Sequence, residues 1–193
     1  HLGAGGLQLA LNARGQLRPC AGIIARACAE AEARFAAVAR PLRLDIVVSA
    51  AAEVPESLYV TGHCYEPGVI GLRIGTTQFR PVAALYVDVL KVLFHELHHA
   101  LRWEGPGYGT TLGEALVSEG LAQRFLHEMM DVAPEPFEQA VPPATCEAWR
   151  PRALSGFDDA GYDHDAWFFG AGAQPNWLGY TLGRHMTDRF LAR

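Results

Sequence analysis

The sequence predicts an α+β fold, with a small β-sheet packed on one long helix and a mainly helical half after it. Three observations predict it. Residues 42–49 and 68–75 are short apolar runs with β-branched residues, typical of buried strands. Residues 81–103 form a longer apolar run that begins at a proline and ends at a glycine-rich turn, as a buried helix does. Helical patterns over 112–130 and 176–193 supply the second half.

The other segments are predicted as one strand, one helix and several irregular connections. Apolar residues alternate over 7–11, which predicts a strand ending in a turn at 12–15, and Pro19 opens a helix that runs to about residue 40. Proline and glycine predict irregular chain at 53–67, 131–151 and 155–175. The strand at 68–75 is expected to be either an ordinary member of the sheet or an edge strand to which a peptide adds.

Length and composition favour a single domain over residues 1–193, with an α/β lobe at about 1–103 and a helical lobe at about 104–193. Hydrophobic residues make up 50% and charged residues 19%, so the composition is that of a globular protein. A net charge of −5 without a basic cluster argues against a nucleic-acid partner. No stretch approaches the roughly 20 apolar residues of a membrane span. These patterns leave the oligomeric state open.

The four cysteines show no CxxC spacing. Cys20 and Cys28 are two helical turns apart, roughly 12 Å, which is too far for a disulfide between them. They are predicted to be buried thiols.

The motif His95-Glu96-x-x-His99 lies in the long apolar helix. A spacing of four puts both imidazoles on one helix face about one turn apart, where they can share a zinc ion. Glu96 stands beside the first histidine, where a carboxylate can take a proton from metal-bound water. His98 lies one position off this face and is predicted to support the site or to pack in the core.

The next helix offers two carboxylates as a third ligand, Glu114 and Glu119. They are five residues apart, so only one of them can readily face the histidines. Glu119 is the better candidate, because Gly120 and Ala122 beside it allow close packing and place the charge in apolar surroundings.

Three segments together resemble a bacterial family of predicted zinc-dependent proteases and, more broadly, the gluzincin branch of zinc metallopeptidases. They are HELHHALR from His95, TLGEALVSEGLA from Thr111 and NWLGYTLG from Asn176. The resemblance implies a zincin-like fold, zinc held by His95, His99 and Glu119, and a peptide or protein substrate. It further implies that Glu96 is the general base and that Tyr180 stabilises the oxyanion, with His185 and Tyr108 as alternatives.

The chain departs from this pattern four residues after Glu119, where gluzincins often carry an acidic residue and this chain has Gln123. Asp88 or Glu114 could instead accept the hydrogen bond that orients a ligand histidine.

Two other hypotheses for the function of the chain remain. One is an inactive zincin-like binding module with a structural zinc site, completed by Cys64 or Cys146; the other is a different zinc hydrolase, such as an amidase.

Overall fold

The computed structural model describes residues 7–11, 17–39, 42–55, 57–77 and 81–193. The predicted turn at 12–15 lies outside these residues. The helix predicted to run to about residue 40 ends at Ala36, and residues 37–39 already form a turn, so its predicted end is wrong. Strands and helices are both present, so the α+β prediction is confirmed. The chain divides into two compact units, His1–Gly105 and Pro106–Arg193. That they form one domain stays a prediction.

The N-terminal unit contains a four-stranded sheet in the order β1-β2-β4-β3. Its strands are β1 (Leu7–Leu11), β2 (Leu44–Ala51), β3 (Val60–Glu66) and β4 (Val69–Gly75). β1, β2 and β4 run parallel, and β3 pairs antiparallel to β4. The expectation of β4 as an edge strand is therefore wrong: β4 lies between β2 and β3, and β3 ends the described sheet. β3 itself falls in a segment predicted to be irregular.

Two helices pack with this sheet: α1 (Ala21–Ala36), which follows a single 3-10 turn at Arg18–Cys20, and α2 (Val82–Arg102). α2 contacts α1, β3 and β4. Burial alternates along the first part of β2, because one face of the sheet enters the core and the other stays exposed. Large, fully buried side chains fill this core: Ile24, Ile46, Ile70, Leu72, Ile74, Leu93, Phe94 and Leu97.

The C-terminal unit is helical where the structure describes it. It contains α3 (Leu112–Met129), a 3-10 turn at Pro136–Glu138, α4 (Pro143–Ser155), α5 (His164–Phe169) and α6 (Leu178–Leu191). Its core gathers side chains from all four α-helices, including Leu116, Cys146, Trp167, Phe168 and Leu182. α4 and α5 form within segments predicted to be irregular.

The closest helix pair in this unit is α3 with α6, and glycines make the approach possible. A methyl group at Gly120 would collide with the carbonyl of Gly183 and the hydroxyl of Thr187. A methyl group at Gly183 would collide with the carbonyl of Leu116. The close helix approach expected at Gly120 is present, and it fixes the position of its neighbour Glu119.

A buried ionic network ties the 3-10 turn to α3 and α6. The Glu138 carboxylate is 4% exposed, and its Oε2 lies 2.8 Å from His127 Nε2 and 2.6 Å from Arg184 Nη1. Arg184 also pairs with Asp188 at 2.7 Å. Since Glu138 pairs with one residue of α3 and one residue of α6, the network resists separation of these elements.

All four cysteines are free thiols. Cys28 is buried as predicted, whereas Cys20 is only partly buried. None of the helices in the described part of the chain has the length and apolarity that crossing a membrane requires.

Candidate metal centre

Two imidazole nitrogens converge on one face of α2. His99 is 4% exposed and His95 is partly buried, and their Nε2 atoms lie 3.1 Å apart. The rings meet edge to face, with centroids 4.8 Å apart. Two nitrogens bound to one tetrahedral zinc at ~2.0–2.1 Å are roughly 3.3 Å from each other. The spacing of the pair thus fits a shared zinc ion, as the four-residue spacing predicts.

Glu96 is buried, at 5% exposure, because β3 passes directly over it. A methyl group on Gly62 of β3 would lie 2.7 Å from Glu96 Cγ and 2.8 Å from its Oε1, and would also collide with Val92. The strand is held there by Trp103, whose indole N–H donates to the Cys64 carbonyl at 2.9 Å. Only glycine at position 62 leaves room for the Glu96 side chain in this place.

Glu119 lies on α3 and is also 5% exposed. Its Oε1 accepts a hydrogen bond of 2.8 Å from the hydroxyl of Tyr108, in the loop before α3. Burial, together with the nearby charge of Glu119, raises the pKa of Tyr108 well above its usual value. The phenol therefore stays protonated and acts as the donor to the carboxylate.

His95, His99 and Glu119 each offer one ligand atom, and these atoms lie within 4.8 Å of one another. Among the described residues these three are the group that could hold a metal ion, and neither Cys64 nor Cys146 belongs to it. A set of two imidazoles and one carboxylate matches catalytic zinc, which keeps a position for water, whereas structural zinc favours four protein ligands and cysteine.

Three other residues bear on the ligand set. They are Glu114, the alternative ligand; Gln123, four residues after Glu119; and Asp88, an alternative for orienting a ligand histidine. Glu114 is exposed and caps α3: its carboxylate accepts from the backbone N–H groups of Thr110 and Thr111, which lower its pKa. Gln123 is fully buried and donates from Nε2 to the carbonyl of Tyr180 at 3.1 Å. Its Oε1 accepts no hydrogen bond within the described residues. Asp88 is half-buried on α2.

Tyr180 lies on α6 within an aromatic cluster of the C-terminal unit. Its ring packs against Phe137 at 5.1 Å, against Phe168 at 5.1 Å and against Phe169 at 6.2 Å between centroids. The charge of a Tyr180 phenolate would contribute to raising the pKa of Tyr108. His185, the other candidate on α6, is partly buried.

Sequence reasoning missed His164, at the start of α5. Its ring stacks on Phe168 with centroids 4.4 Å apart, and its Nδ1 lies 3.0 Å from the Tyr162 hydroxyl. Burial lowers its pKa, and the negative charge of Glu119 opposes that shift. The abundance of aromatic residues over 155–175 was the available signal.

Cys64 faces α2 from β3. Burial, followed by the charge of Glu96, raises the pKa of its thiol to about 12. Cys64 also lies outside the group of described residues that could hold a metal ion.

Two imidazoles and a buried carboxylate on an α+β scaffold are the donors that zinc takes in hydrolases. The chain belongs to the DUF2268 family, described as a predicted Zn-dependent protease, whose family model matches residues 20–193. The resemblance noted in the sequence is confirmed at the level of this family. A comparison with curated proteins found no match.

Proposed function

We propose that this chain is a zinc metallopeptidase of the gluzincin type, in which His95, His99 and Glu119 hold the metal. The observation that carries the proposal is the convergence of these three donors. Glu96 supports it further, since it is buried and follows a ligand directly on the same helix. The fourth tetrahedral position is then left for water.

In this proposal the chain's own groups handle the protons. Glu96 takes a proton from the attacking water and delivers it to the leaving amine. Gly62 and β3 hold the Glu96 side chain in place for both transfers. When bound, zinc supplies a Lewis acid that acidifies water and polarises the carbonyl under attack. The hydroxyl of Tyr180 donates to the oxygen on which negative charge develops.

A binding module with structural zinc is the competing hypothesis. The donor set favours the enzyme, because the group that could hold a metal contains no cysteine. An amidase would share every residue of the proposed centre and differ in substrate.

The proposal is tested by incubating the zinc-loaded chain with a mixed peptide library and identifying new termini by mass spectrometry. We expect cleavage that stops when a chelator removes the metal and returns when zinc is added back. A zinc-loaded chain that cleaves none of the peptides but hydrolyses non-peptide amides would replace the peptidase with an amidase. A zinc-loaded chain inactive on both would favour the binding module.

Tyr180→Phe is expected to lower kcat by about 100-fold, because one donor to the oxyanion is lost. Zinc content and KM should change little. The measurement is steady-state kinetics on a peptide found in the library, with Tyr86→Phe as the matched control. Tyr86 lies on α2, ten residues before Glu96, and its hydroxyl donates to Glu30. The control variant therefore also loses one tyrosine hydroxyl. Equal kcat in the two variants would remove Tyr180 from the reaction.

A further inference from the structure

Tyr108 contacts the proposed carboxylate ligand directly by a hydrogen bond. Its hydroxyl donates to Glu119 Oε1 at 2.8 Å, and both residues lie in the C-terminal unit. Its ring packs against the core of that unit, so the core restrains the ring while the carboxylate accepts from the hydroxyl.

The loop that carries Tyr108 is shaped to turn it back onto α3. The residues on either side, Gly107 and Gly109, have φ values of +74° and +103°, a region in which residues with a side chain are strained. A methyl group at Gly109 would also collide with Glu114.

The next residues of the loop are fixed to the start of α3. Glu114 Oε2 accepts from the N–H of Thr110 at 2.8 Å and from the N–H of Thr111 at 3.0 Å, and the Thr111 side chain accepts from the Glu114 N–H. This capping box therefore anchors the loop to the same helix that carries Glu119.

We propose that Tyr108 is a positioning residue for the metal ligand: its hydroxyl holds Glu119 Oε1, so that Glu119 binds zinc through its other oxygen alone. The inference rests on the proposed function. Tyr108 was an alternative oxyanion donor on sequence grounds, and its bond to Glu119 assigns it this different role. Hydrogen bonds to metal ligands commonly change metal affinity by about 10–100-fold.

The test compares Tyr108→Phe with Tyr162→Phe in the full chain. Both variants keep the aromatic ring and lose one hydroxyl; that of Tyr162 lies 3.0 Å from His164 Nδ1. Zinc affinity is measured by competition with a chromophoric chelator, and the coordination of Co²⁺ by its visible absorption spectrum. Melting curves of the metal-free variants show whether each is folded.

We expect Tyr108→Phe to bind zinc about 10-fold more weakly than wild type. The visible absorption spectrum of its Co²⁺ form should change to that of a site with a higher coordination number, because Glu119 is then able to bind through both oxygens. Tyr162→Phe should match wild type in both measurements. Wild-type affinity and an unshifted Co²⁺ spectrum in Tyr108→Phe would overturn the inference while leaving the zinc site in place. A wild-type chain that binds neither metal would overturn the proposed function and this inference with it.

Discussion

Glu96→Gln is expected to retain zinc and to lose hydrolysis by about 10²–10⁴-fold, the range that a general base contributes. Glutamine has nearly the same shape, so it fits beneath Gly62 without a clash, but its amide takes up no proton at neutral pH. The loss should therefore appear in kcat, measured on a cleaved peptide, with zinc content unchanged.

Glu104→Gln is the matched control, because Glu104 is exposed just after the same helix. It should keep wild-type activity. If Glu96→Gln hydrolyses the peptide as fast as this control does, Glu96 is not the base, and another group must accept the proton.

Glu138→Gln is expected to lower the free energy of unfolding by about 3 kcal/mol, at the lower end of the cost of breaking a buried ion pair. The substitution removes the charge that faces both His127 and Arg184. The lower end applies because the Arg184 side chain is 19% exposed and keeps its pair with Asp188. Denaturant unfolding followed by circular dichroism measures the change.

The control for this variant is Glu147→Gln. Glu147 pairs with Arg150 and Arg189, but its side chain is 54% exposed, so its loss should cost no more than about 1 kcal/mol. Equal unfolding midpoints in the two variants would show that burial of Glu138 adds nothing to the stability of the C-terminal unit.

The part of the candidate site that follows from helical periodicity could be predicted from the sequence. His95 and His99 share a face because four residues make about one turn, and the structure places their Nε2 atoms 3.1 Å apart. Choosing Glu119 over Glu114 needed more, namely the small neighbours of Glu119. Glu114 instead caps α3, a role that the sequence Thr-x-x-Glu from Thr111 already indicates.

The parts that were missed depend on tertiary contacts or on the position of proline. β3 contains Gly62 and lies close to Pro67, yet it pairs with β4, and its glycine leaves room for the Glu96 side chain of α2. α4 begins at Pro143, where the missing N–H costs nothing, and it continues through Pro151. The prediction of irregular chain in this segment, which rested on its proline content alone, was therefore wrong for α4.

The Tyr108–Glu119 hydrogen bond was beyond sequence reasoning for a related reason. It joins residues eleven apart through a loop with two left-handed glycines. No periodic pattern predicts the direction in which such a loop turns a side chain.

The central claim is that His95, His99 and Glu119 hold zinc, and elemental mass spectrometry of chain purified without chelators or an affinity tag tests it most directly. We predict about one zinc per wild-type chain, a clear loss in Glu119→Ala, and full retention in Glu114→Ala, whose exposed carboxylate only caps α3. Wild-type chain that neither carries zinc nor takes it up when added, or full retention of zinc by Glu119→Ala, would contradict the claim.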